Sequence, residues 1–121
     1  MHLLFVCVGN SCRSQMAEGL ARSMGHIADS AGTHPDSPTI ANNAQKYLES
    51  RGISTEGMTP KSVDNFSADD YDMVISMGCD VNCPSMRIDE DWGIEDPFGQ
   101  EYEVYKATAE EIERRLKLLE Q

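Results

Sequence analysis

The chain has 121 residues, with 21 Asp and Glu against 10 Lys and Arg, for a formal net charge of −11. That balance opposes nucleic-acid binding, which depends on neutralising phosphates with Lys and Arg. The longest apolar stretch, Leu3 to Val8, is far too short to span a bilayer and lacks the flanks of a secretory signal, so a cytoplasmic chain with no membrane partner is expected.

The predicted elements alternate strand and helix across one expected domain, residues 1–121, with no linker or internal repeat. His2 to Val6 reads as a buried parallel strand. An amphipathic helix opens near Gln15, with Met16, Leu20, Ala21 and Met24 on one stripe. His26 to Ser30 is the next strand. Ser37 is placed to cap a second helix with Pro38 as its first residue, and Ile40, Ala44, Tyr47, Leu48 and Arg51 share a face until Gly52. Asp72 to Met77 reads as a third strand. In the last helix Tyr105, Ala109, Ile112, Leu116 and Leu119 repeat at helical spacing. Right-handed crossovers between such elements give an α/β fold, a small doubly wound parallel sheet between helical layers.

The segment Cys7-Val8-Gly9-Asn10-Ser11-Cys12-Arg13-Ser14 joins the first strand to the first helix. A strand end feeding a helix N-terminus aims several backbone N–H groups at one point, where the helix dipole adds positive charge. Such a setting stabilises a thiolate, the reactive form of cysteine. Cys7 is therefore the candidate nucleophile, and Arg13 the candidate bidentate clamp on a tetrahedral oxyanion. Val8, Gly9, Asn10, Ser11, Cys12 and Ser14 form the rest of the anion-binding loop. Gly9 and Asn10 tolerate unusual dihedrals, while Ser11 and Ser14 add hydroxyl donors. A nucleotide-binding P-loop is excluded, because the segment has no lysine. The acidic net charge repels anions, so capture has to be local, by amides and Arg13 in a close pocket.

Two further places carry chemistry. Cys79 and Cys83 follow the third strand, four residues apart, so on one helical turn their Cα atoms would lie about 6 Å apart. A disulfide between them would need some backbone distortion and would be labile. Zinc is a poor fit, because neither Cys-x4-Cys nor Cys-x3-Cys forms a familiar ligand set here, and no metal is expected. Asp96, fixed by Pro97, is the candidate general acid, able to protonate a departing oxygen.

The run Asn10 to Glu18, the segment Asp29 to Thr33 and the run Trp92 to Pro97 together resemble the low-molecular-weight tyrosine phosphatase superfamily, and more specifically its thioredoxin-coupled arsenate reductase branch. The resemblance spans nearly the whole chain. It implies a four-stranded parallel sheet of order 2-1-3-4 and arsenate or phosphate as ligand. It also implies a relay in which Cys7 forms an arseno adduct, Cys79 attacks Cys7 and expels arsenite, and Cys83 closes a Cys79–Cys83 disulfide for thioredoxin to reduce. Reductases of the branch separate the last two cysteines by more residues, so reduction by glutaredoxin and direct Cys7–Cys79 turnover stay open. Cys12 offers another outlet, since related phosphatases protect the nucleophile through a cysteine at this position. Phe98 resembles the aromatic residue that phosphatases carry after Asp-Pro, which keeps phosphomonoester hydrolysis as the alternative activity. The resemblance further implies support of the loop by Ser30 bonded to Asn10, and a potassium ion near Asn10 and Glu18 as the one candidate cofactor. A monomer is expected.

Overall fold

The computed structural model describes residues 1–78 and 85–119. Strand β1 (His2–Cys7) lies at the centre of a four-stranded sheet of order β2-β1-β3-β4, with β2 (Ile27–Gly32), β3 (Met73–Ser76) and β4 (Glu90–Asp91), and every neighbouring pair is parallel. Leu3 to Val6 are wholly buried because β1 is covered on both faces, which is why it reads as an unbroken apolar run.

Alternate residues of β1 feed two cores. Leu3, Phe5 and Cys7 face the larger one, shared with α1 (Arg13–Ser23), α2 (Asn42–Ser50) and α3 (Tyr102–Leu119). Leu4 and Val6 face a smaller one with Val74, covered by Val63, Phe66, Ala68, Tyr71, Met86 and Ile88. Two single-turn 3-10 helices, Val63–Asn65 and Ala68–Asp70, build part of that second cover. The α3 stripe is buried as its spacing predicts, at Tyr105, Ala109, Ile112 and Leu116. Each large apolar side chain buried in this way contributes roughly 1.5–3 kcal/mol relative to exposure.

The second helix differs from its expected start. It begins at Asn42, four residues after Pro38, and Ala41 precedes it in an extended conformation without a side-chain cap. A long-range bond explains the delay: the Ala41 amide donates to the Ser11 carbonyl at 2.9 Å, which holds this stretch extended against the loop after β1. Ser37 instead bonds Thr39 within an exposed turn. Smaller shifts occur elsewhere. The first helix opens at Arg13 instead of near Gln15, β2 runs on to Gly32, and β3 is confined to four residues.

Because the strands are parallel, β1, β3 and β4 all end at the same edge of the sheet. Cys7, Ser76 and Asp91 close those strands, so the segments after them converge where ligands bind in open α/β sheets.

Candidate active site

The loop after Cys7 is drawn tight by its neighbours. Thr33 donates its amide to the Cys7 carbonyl at 3.0 Å and His34 to the Val8 carbonyl at 2.8 Å. The contact is so close that a Cβ on Gly32 would lie 2.6 Å from the Val8 carbonyl oxygen and 2.9 Å from Asn10 Cβ, so only glycine fits at the end of β2.

Asn10 is the turning point. Its φ of 54° makes it the single non-glycine residue with positive φ among the described residues, and that dihedral turns its amide inward to donate to Cys7 Sγ at 3.1 Å. The side-chain amide of Asn10 donates to Ser14 Oγ at 2.7 Å, which leaves the Ser14 hydroxyl proton to point at Cys7 Sγ, 2.8 Å away. Two donors thus converge on one buried sulfur. Beyond them, α1 begins with no side-chain cap and no acidic residue in its first turn, leaving its N-terminal amides and positive dipole end for an anion.

Arg13 is almost fully buried, and its Nη1 donates to three carbonyls: Ile94 at 2.8 Å, Gly78 at 3.3 Å and Met77 at 3.5 Å. Its Nη2 lies 3.8 Å from Asp96 Oδ2. One guanidinium therefore joins the loop, the segment after β3 and the segment after β4. Asp96 is half-exposed and is fixed by a bond from the Phe98 amide to its Oδ1 at 3.0 Å, while Pro97 is buried beneath it. The Phe98 side chain is 63% exposed.

Cys7 and Cys12 are both free thiols. Cys12 is buried, contacts Ser11 Oγ at 3.6 Å and donates to the Tyr105 hydroxyl at 3.7 Å. Burial pushes the Cys12 thiol up from its ordinary pKa, against the opposing pull of the Ser11 and Tyr105 bonds. Burial likewise raises Tyr105, with the Cys12 bond adding to it.

Ser30 departs from its expected role. It donates to Glu18 Oε1 at 2.8 Å, because Asn10 already has other partners: Lys61 N donates to Asn10 Oδ1 at 2.8 Å, and Gln15 Nε2 lies 3.2 Å from the same oxygen. Buried Glu18 also meets Arg22 at 3.1 Å and the Lys61 ammonium at 4.0 Å. Gln15, Lys61 and Tyr105 thus hold up the loop without having stood out as site residues in the sequence. Tyr105 reads as the first member of an apolar stripe, and a single glutamine in a first helical turn carries no periodic signal.

Cys79 and Cys83 lie outside the described residues. What is described is the backbone leading to them: Gly78, with φ of 125°, is bonded to Arg13 through its carbonyl. No group of three or more His, Cys, Asp or Glu side chains suited to a metal occurs among the described residues, and no described helix is long and apolar enough to cross a membrane.

Comparison with known proteins places this geometry. The family model for low molecular weight phosphotyrosine protein phosphatases matches residues 2–121. A glutaredoxin arsenate reductase from Synechocystis sp. is 42% identical, over 97% of this chain and 94% of that protein. A solved arsenate reductase in its phosphate-binding state superposes with a TM-score of 0.86 at 41% identity, covering 98% of this chain and 95% of that one. A low molecular weight protein tyrosine phosphatase from T. tengcongensis gives a TM-score of 0.78 at 31% identity, covering 98% and 97%. With a cysteine and an arginine joined by an amide-lined loop at the end of the first strand, and with this match over nearly its whole length, the chain belongs to the low molecular weight phosphotyrosine protein phosphatase family.

Proposed function

We propose that the chain reduces arsenate to arsenite by a thiol relay that starts at Cys7. The observation that carries this reading is the Arg13 guanidinium. It projects from the Cys7 loop and is bonded to the carbonyl of Gly78, the residue next to Cys79. Cys79 follows Gly78 directly in sequence, and the relatives at 41–42% identity are named arsenate reductases.

In the proposed sequence the Cys7 thiolate attacks arsenic(V), and the departing oxygen leaves as water after taking a proton from Asp96. The Cys79 thiolate then attacks Cys7 Sγ. The S–As bond breaks, its electron pair reduces arsenic to the trivalent state, and a Cys7–Cys79 disulfide forms as arsenite leaves. Cys83 next attacks Cys79, frees the Cys7 thiolate and leaves a Cys79–Cys83 disulfide. An external dithiol of the thioredoxin or glutaredoxin class reduces that bond. The Synechocystis relative is named a glutaredoxin arsenate reductase, which supports the glutaredoxin class. Free Cys7 and Cys12 suit a reducing, cytoplasmic setting. No cofactor is required by this chemistry. Activity without added potassium is supported by the Lys61 ammonium, which already supplies a positive charge beside Glu18.

Phe98 favours a second activity at the same site. Its exposed ring, carried two residues after Asp96, offers a face to an aromatic phosphomonoester, with Cys7 as nucleophile and Asp96 as general acid.

Thiol counting tests the relay. One equivalent of arsenate should consume two thiols per chain and leave a Cys79–Cys83 linkage locatable by peptide mass mapping, while Cys83→Ser should stop at a Cys7–Cys79 bond. A Cys7–Cys12 bond as the sole product would instead favour the phosphatase with a protective thiol.

A further inference from the structure

We propose that Gln15 is a positioning residue that holds Asn10 in its left-handed conformation and so pre-forms the anion loop. This rests on the reading of the Cys7 loop as an oxyanion site. A non-glycine residue at φ of 54° is strained unless its surroundings over-determine it. Gln15 supplies that constraint. Its side chain is fully buried in the first turn of α1, and Nε2 sits 3.1 Å from the Asn10 carbonyl, 3.2 Å from Asn10 Oδ1 and 2.9 Å from the Thr59 carbonyl. Three oxygens around one nitrogen fix the orientation of the amide.

The bonds have a direction of consequence. Gln15 takes both acceptors of Asn10, Lys61 N shares Oδ1, and the Asn10 amides are left to point at Cys7 Sγ and Ser14 Oγ. The Thr59 contact anchors the device to a segment whose Lys61 carbonyl accepts from Gly32, the residue packed against the loop. Gln15 Oε1, meanwhile, is buried with no hydrogen-bond partner among the described residues. An apolar side chain of similar shape would avoid that loss, so a structural filler has no reason to be glutamine here. The donor Nε2 is what the position needs.

The test is a double-mutant cycle on phosphate protection of Cys7 against iodoacetamide, with Gln15→Met, Asn10→Gly and the double variant. Methionine keeps the volume and removes the donor, while glycine adopts positive φ without help. Gln15→Met should raise the phosphate concentration for half-protection about tenfold in the Asn10 background. In the Asn10→Gly background the same change should have little further effect. Equal effects in both backgrounds, or none in either, overturn the proposal, because replacing a glutamine that only stabilises the fold lowers melting temperature without coupling to Asn10. Absence of phosphate protection in the wild type would overturn the oxyanion reading itself and this inference with it. Should Gln15→Met fail to fold, proton exchange of the Gln15 side-chain amide in the wild type decides. Slow exchange that slows further with phosphate supports the clamp, and exchange at the rate of an exposed glutamine contradicts it.

Discussion

The loop from Cys7 to Ser14 and the segment from Asp96 to Gly99 meet at Arg13 and are built in opposite ways. The loop is buried or half-buried at every position, fixed by bonds from Thr33, His34, Gln15 and Lys61, and closed against Gly32. The Asp96 segment exposes Asp96, Phe98 and Gly99, and Asp96 itself is held by one amide bond and a 3.8 Å approach to Arg13. Chemistry explains the contrast. Stabilising charge on a bound oxyanion needs donors fixed in advance, whereas a proton donor has to reach different leaving groups and exchange protons with water.

Breaking the loop should have the largest effect. Cys7→Ser should take both arsenate reduction and p-nitrophenyl phosphate hydrolysis below detection. Arg13→Lys should lower kcat/KM for either by about 10²–10³-fold, because a point charge replaces neither the planar fork nor the contacts to the Met77, Gly78 and Ile94 carbonyls. Steady-state kinetics on both substrates checks this.

Changes in the exposed segment should be smaller and selective. Asp96→Asn should lower kcat for hydrolysis by about 10²-fold, the low end for a general acid, while phosphate protection of Cys7 persists or tightens as a negative charge leaves the neighbourhood of Arg13. Phe98→Ala should raise KM for aromatic phosphomonoesters a few-fold and leave arsenate kinetics unchanged.

A site remote from both regions supplies the smallest effect and a pH control. Asp89 accepts the Val74 amide at 2.7 Å, and that bond, with the Arg87 contact, holds its carboxyl below the usual range. A depressed native pKa means stability that is present above the unfolded value, near 3.9, and lost as pH falls through the native one. Asp89→Asn should therefore cost about 1 kcal/mol or less at pH 7, and the two melting curves should converge in acid.

What the sequence revealed followed from how each residue is used. The β1 run and the α3 stripe are legible because one environment repeats along each element. Cys7, Arg13 and Asp96 stand out through residue type and spacing, and in the fold Arg13 approaches Asp96. The start of α2 departs from the local Ser-Pro signal because the Ala41–Ser11 bond overrides it. Strand β4 left no pattern, being two exposed acidic residues held by pairing with β3. Gln15 and Ser30 act through partners fixed only by folding, Asn10 and Thr59 for one and Glu18 for the other.

The most direct measurement compares arsenite formation from arsenate by the wild type and by Cys79→Ser, each supplied with thioredoxin and glutaredoxin systems, beside p-nitrophenyl phosphate hydrolysis. A relay through Cys79 gives multiple turnovers in the wild type and none in Cys79→Ser, with any hydrolysis retained by both. Full reductase turnover in Cys79→Ser, or a wild type that hydrolyses the phosphoester and forms no arsenite, would contradict it.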